Sequence, residues 1–156
     1  MDIANLIVNS FYIGRLVTLE RMVDPDTLIG SIDIGYGVRY HAPKGIRLNS
    51  VDGPELHSSN LKEAKAAGIV TTEIKDRINH LLKAGQIWVV SKKWDMYGRV
   101  LADLMFKDPN NTIKSLNQLF IDEGLLRSYD GKKARSPWTE QELDTLIEKY
   151  KLKSLF

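Results

Sequence analysis

The chain has 156 residues, 43% of them apolar and 27% charged, with a net charge of +2 and no cysteine. That length holds one domain with a single core, and the lack of cysteine excludes disulfides, zinc–thiolate sites and thiol nucleophiles. The small net charge argues against a nonspecific DNA coat and leaves any nucleic-acid contact local, and no stretch approaches the roughly 18 apolar residues of a membrane span.

The apolar patch Leu6-Ile7-Val8 is shorter than the about 7–15 residues of a signal-peptide core, so the chain is read as cytoplasmic, with a secreted mature form as the alternative. Phe11 to Leu19 is rich in aromatic and branched residues and predicts a strand. Leu28, Gly30, Ile32 and Ile34 alternate with more polar residues in a second strand, ended by Gly35-Tyr36-Gly37. Ile46 to Val51 predicts a third strand before the Asp52-Gly53-Pro54 turn. Asn60 and Glu63 resemble a capping box ahead of a helix with Ile74, Ile78, Leu81 and Leu82 on one face. Gly68 is a candidate divide within that helix, and Gly85 is its expected end.

Ile87–Val90 and Val100–Phe106 predict strands flanking a turn at 94–99. Ile113, Leu116, Leu119 and Phe120 mark a second helix, stopped by Gly124. Ser136-Pro137 places proline at the first position of a third helix, with Leu143, Leu146, Ile147 and Tyr150 as its buried stripe. The polar, basic run 128–137 reads as a linker. Strands first and helices later do not match a doubly wound sheet. The order predicts an α+β chain: a five-stranded barrel of the OB type with about three packed helices. It forms a single domain over 1–156, with a core of about 11–130 and a C-terminal helix at 136–156.

Three short motifs carry the chemistry: Asp24-Pro25-Asp26-Thr27, Arg47-x4-Asp52-Gly53-Pro54-Glu55 and Tyr97-Gly98-Arg99. Hard cations such as calcium and magnesium take carboxylate and carbonyl oxygens, and Asp26 and Asp52 offer two carboxylates from two loops. Glu55 follows closely enough to act as a general base on water. Arg47 and Arg99 offer two guanidiniums for a phosphoryl group. Each motif taken alone reads as well, or better, as an ordinary turn. The histidines His41, His57 and His80 do not cluster, and no nucleophile elbow or Gly-x4-Gly-Lys loop is present. Tyr97 and Tyr129 are better placed than the tryptophans to stack on bases.

In their order and spacing these motifs resemble the staphylococcal nuclease (thermonuclease) family, with its Asp-Gly-Asp-Thr, Arg-x4-Asp-x-Pro-Glu and Asp-x-Tyr-Gly-Arg-x-Leu-Ala patterns. The segment from Leu116 to Leu125 is similar to the family's Asn-x2-Leu-x4-Gly-Leu helix, and the resemblance runs from about Leu16 to Tyr129. The insert Ile34–Val38 resembles members from bacteria and bacteriophages. The resemblance implies a calcium-dependent nuclease acting on single-stranded or unpaired DNA and RNA, with no membrane partner. On these positions Asp26, Asp52 and the carbonyl of Gly53 would hold calcium, and Glu55 would be the general base. Arg47 and Arg99 would stabilise the phosphoryl transition state, and Tyr97 would contact the nucleotide. Pro25 stands where the family has Gly, so the loop carrying Asp26 is expected to differ if that Gly has a positive φ. Gly53 stands where the family has Thr or Ala, and Tyr129 lies one residue short of the family's aromatic position. The alternative is a non-catalytic nucleic-acid-binding or adaptor module on the same fold.

Overall fold

The structure is a computed structural model that describes residues 12–151. Leu6-Ile7-Val8, Phe11 and the predicted helix beyond Lys151 lie outside them. Five strands form a closed ring. β1 (Tyr12–Asp24) pairs with β6 (Ile87–Trp94), β6 with β7 (Val100–Lys107), β7 with β4 (Ile46–Leu48), β4 with β2 (Thr27–Asp33), and β2 again with β1. All of these pairs are antiparallel except β4 with β7. β3 (Arg39–His41) extends β2 and β8 (Ile113–Ser115) extends β7, while β5 (Val51–Asp52) and β9 (Arg127–Ser128) form a separate two-stranded ladder. This is the expected barrel of the OB type with helices packed on it.

Curvature comes from β1. Its register against β2 shifts at three places, between Leu16 and Thr18, Leu19 and Arg21, and Met22 and Asp24. Such bulges bend a strand and raise its twist, so a single strand reaches both neighbours of the ring. Gly30 sits at the tightest contact, where a Cβ would lie 2.2 Å from the Thr18 carbonyl oxygen; only glycine admits that approach.

The inward residues of the ring, among them Leu16, Leu28, Ile46, Leu48, Val89 and Leu104, meet the helices α1 (Leu61–Ala84), α2 (Leu116–Asp122) and α3 (Glu140–Lys151) in one core. On α1 the buried residues Ala66, Val70, Ile74 and Ile78 recur every fourth position, and the helix runs unbroken through Gly68. Asn60 caps it, accepting from the Lys62 and Glu63 amides at 3.0 and 3.2 Å. The Glu63 carboxylate does not close the capping box; it binds Ser58 and the Glu55 amide instead.

Three expectations are corrected. The single strand Ile46–Val51 is two, because the chain turns at Asn49–Ser50, with Ser50 at φ 60°. The Asn49 amide goes to the Ala102 carbonyl and the Ser50 carbonyl accepts from Tyr129, so β5 joins β9 instead of β7. Ile113 belongs to β8, and α2 begins behind the Ser115 cap. The last helix starts at Glu140 instead of at Pro137. Thr139 and Glu142 cap it reciprocally, the Thr139 amide donating to Glu142 Oε2 at 2.7 Å and the Glu142 amide to Thr139 Oγ1 at 3.2 Å.

Candidate active site

One open cleft of about 570 Å³ lies over the mouth of the ring, lined by the β1–β2 turn, the 47–55 segment, the β6–β7 turn and the 129–135 loop. Asp26, Arg47, Gly53, Glu55, Tyr97 and Arg99 all line it. Residues from three separate motifs therefore face one space, although nothing in any one motif required it.

Asp26 follows Pro25 in the tight turn joining β1 to β2, where Asp24 pairs with Thr27. No positive φ occurs at this turn, so proline is accommodated without strain. The Asp26 carboxylate is 4% exposed. Its Oδ1 accepts from Thr27 Oγ1 at 2.9 Å; its Oδ2 accepts from the Gly53 amide at 3.1 Å and pairs with Arg47 at 3.3 Å. The first two motifs are thereby bolted together.

Arg47 is buried in β4, and its guanidinium donates to the Leu48 and Val51 carbonyls at 2.7 and 2.8 Å. These bonds clamp the bend that separates β4 from β5. Burial draws its pKa below the ordinary value; Asp26 pulls it back, Arg99 and Arg135 push it further down, and Asp52 opposes them. The Arg99 guanidinium is near enough to depress this pKa, and both arginines line the same cleft.

Arg99 is set by Asp95. That carboxylate accepts the amides of Tyr97 and Arg99, both at 2.9 Å, and the Arg99 Nε at 2.5 Å. Burial alone would raise the Asp95 pKa, but the bonds from Arg99 and Tyr97 outweigh it and leave the carboxyl below its ordinary value. The guanidinium lies 5.3 Å from the centroid of the exposed Tyr97 ring, a cation–π distance.

Asp52 is 2% exposed and is the most heavily neutralised acid of the group. Its partner in the β5–β9 ladder is Arg127, which turns back so that its Nε and Nη2 both reach Asp52 Oδ2 at 2.9 Å. Arg135 reaches the other oxygen, Oδ1, at 3.0 Å, and with its second nitrogen holds Glu55 Oε1 at 2.8 Å. Glu55 is otherwise exposed at the cleft edge, and His57 is exposed outside the cleft lining. Asp24, one turn away, accepts the Leu56 amide at 3.1 Å. Burial raises its pKa, the Leu56 bond opposes that, and Asp26 adds to the rise, while His57 and Arg135 hold it back.

Among the described residues no three His, Asp or Glu side chains converge tightly enough to enclose a metal alone. Asp52 and Glu55 instead share the Arg135 guanidinium. Arg127, Arg135 and Asp24 are the site residues that sequence reasoning missed, and Arg135 lies in the stretch read as a linker. The only signal for it was the basic character of 127–135. Tyr129 does line the cleft, and its hydroxyl donates to the Lys133 carbonyl at 2.6 Å. His41 and His80 are exposed outside the cleft lining.

Comparison with curated proteins finds no match. A family model described as staphylococcal nuclease homologue matches residues 45–153, well over half the chain. The match takes in the second and third motifs and the helix at 116–122 and begins after the Asp24–Thr27 turn. With the closed ring, the three helices and the shared cleft, this match makes the chain a member of the staphylococcal nuclease homologue family.

Proposed function

We propose that the protein is a calcium-dependent nuclease that hydrolyses phosphodiester bonds of DNA and RNA. The observation that carries this reading is the convergence of Asp26, Glu55, Arg47 and Arg99 on a single open cleft of about 570 Å³.

The donor set fits a hard divalent cation: two buried carboxylates, Asp26 and Asp52, the backbone of Gly53 and the nearby Glu55. A second observation supports the fit, since a cationic group, the Arg135 guanidinium, stands among these carboxylates as a cation would. Asp26, Asp52 and the Gly53 carbonyl are the proposed ligands. Bound calcium would supply Lewis-acid polarisation of the phosphate and charge neutralisation.

The chain's own groups supply the rest. Arg47 and Arg99 grip the non-bridging oxygens of the scissile phosphate, and their charge matters most as negative charge builds on those oxygens in the transition state. Arg47 is held by two carbonyls and Asp26, and Arg99 by Asp95, so neither needs to reorganise during reaction. Glu55, exposed at the edge of the cleft, takes a proton from the attacking water. Tyr97 offers an exposed ring for a base or sugar to rest on.

Single-stranded DNA and RNA, incubated with the protein in calcium and then in chelator, test the proposal. Calcium-dependent cleavage that disappears with Glu55→Gln supports it. Binding without cleavage, in calcium and in other divalent ions, would favour the non-catalytic module instead.

A further inference from the structure

Among the described arginines that line the cleft, Arg135 is the one for which the hydrolytic reading has no use. Its two terminal nitrogens bridge Asp52 and Glu55 at 3.0 and 2.8 Å, and its charge is felt at Asp26 and Asp24 as well. One guanidinium thus binds two carboxylates directly and its charge bears on two more. Desolvation draws its pKa down, but the bond and charge of Asp52, with Glu55 and Asp26, outweigh that and leave it raised.

Arg127, on the far side of Asp52, is built differently. It stacks on Trp138 at 4.2 Å, donates to the Ser136 carbonyl, reaches Glu142 at 3.7 Å and belongs to the β5–β9 ladder. Arg135 has none of these supports. It rises from a segment, 129–139, without helix or strand, and its side chain is 42% exposed. Asp52 therefore has one fixed counter-ion and one removable one.

We propose that Arg135 is the resident counter-ion of this acidic cluster, and that it must leave Asp52 and Glu55 before a divalent cation can be held there. The inference rests on the metal-dependent reading above. Two arguments carry it. Each carboxylate oxygen that Arg135 holds is turned towards a positive group, and two cations sharing those oxygens repel each other strongly at such distances. The lock is also releasable: the Arg135–Glu55 pair is about half exposed and competes with water and salt, Asp52 keeps Arg127 as a partner when Arg135 leaves, and the Arg135 side chain can rotate out while Arg127 still holds the Ser136 carbonyl. The seated arginine spares the cluster the repulsion of uncompensated neighbouring acids. It lowers the apparent affinity for metal by the fraction of molecules in which it is seated.

Calcium binding measured by titration calorimetry, without nucleic acid, tests this on wild type, Arg135→Ala and Arg39→Ala. Arg39 removes the same charge from the exposed strand β3. Arg135→Ala is expected to bind calcium about tenfold more tightly, while Arg39→Ala matches wild type. Thermal unfolding gives a second readout: Arg135→Ala melts below wild type in chelator, and saturating calcium removes the difference. A purely structural role would leave the deficit in both buffers. Arg135→Gln serves in the same way if the alanine variant folds poorly. Unchanged or weaker calcium binding by the variants, with wild type binding normally, overturns the proposal and leaves the metal reading intact. Absence of calcium binding by every protein overturns both.

Discussion

The ring of Pro25 fills the space that a side chain at Gly53 would occupy. A Cβ built on Gly53 would lie 2.8 Å from Pro25 Cβ and 3.0 Å from Leu126 Cδ2, closer than carbon atoms normally approach. The chain departs from the nuclease motifs at these two positions, and the departures form one steric pair. Proline stiffens the turn that carries Asp26, and glycine makes room for it while its amide holds Asp26 Oδ2.

Gly53→Thr alone should therefore destabilise the protein by about 1–3 kcal/mol through overpacking. Adding Pro25→Gly should recover much of that loss. Urea denaturation of the two single variants and the double variant decides the matter. Strictly additive losses would mean that the residues are not coupled.

Arg47 and Arg99 are not equivalent targets, although both line the cleft. Arg99→Ala removes a partly buried pair with Asp95 at the cleft surface, worth about 1 kcal/mol. It should still lower turnover on single-stranded DNA by about 10³-fold or more if Arg99 meets the transition state. Arg47→Ala also strips two buried carbonyls and Asp26 of their partner, at a cost of about 3–5 kcal/mol. Turnover and the urea midpoint, measured together, separate the two. An Arg99→Ala enzyme with near-normal turnover would remove Arg99 from the reaction.

Acid should loosen the β6–β7 turn. Asp95 has a folded pKa below its ordinary 3.8, so its contribution to stability is fully present above that value and is lost as pH falls through the lower folded pKa. Asp95→Asn cannot titrate and should lose less melting temperature than wild type between pH 5 and pH 2.5. Parallel melting curves for the two proteins over that range would contradict this.

Asn117 ties three elements together. Buried on α2, it accepts from the Leu104 amide at 3.1 Å and donates to the Asn49 and Ala102 carbonyls at 3.0 and 3.1 Å. Asn117→Ala removes this partner from the Leu104 amide and the Asn49 carbonyl, while the Ala102 carbonyl keeps the Asn49 amide; that should cost about 2–4 kcal/mol. A loss below the error of chemical denaturation would show that water replaces the amide. Because Asn49 adjoins the bend between β4 and β5, turnover should fall with stability.

Periodicity made most of the frame readable in advance. β7 alternates buried and half-buried residues along its length, and α1 repeats its apolar residues every fourth position. The break at Asn49–Ser50 was not readable, because part of its cause is tertiary: Arg47 takes up the Leu48 and Val51 carbonyls locally, but Asn117 reaches the Asn49 carbonyl from 68 residues away. Pro137 misplaced the last helix because the reciprocal bonds of Thr139 and Glu142 outweigh a proline start. In the site, the order of the motifs pointed to the residues that share the cleft. Arg127 and Arg135 went unseen because they neutralise Asp52 from 75 and 83 residues away, and no local pattern records so distant a charge pairing.

Joining Tyr12 to Ser91 to close the ring has a consequence for the chain as it is made. β1 and β2 emerge first and can form their curled hairpin at once, but the outer edge of β1 has no partner until β6 follows. At ribosomal speeds of about 5–20 residues per second, the seventy residues between Asp24 and Trp94 take roughly 4–14 s to appear. During that interval the hairpin offers an open edge and the bare side chains of Leu16, Leu28 and Ile32. The finished ring has no free edge of its own, so the risk of misassociation belongs to the nascent chain, before the cleft and its chemistry exist.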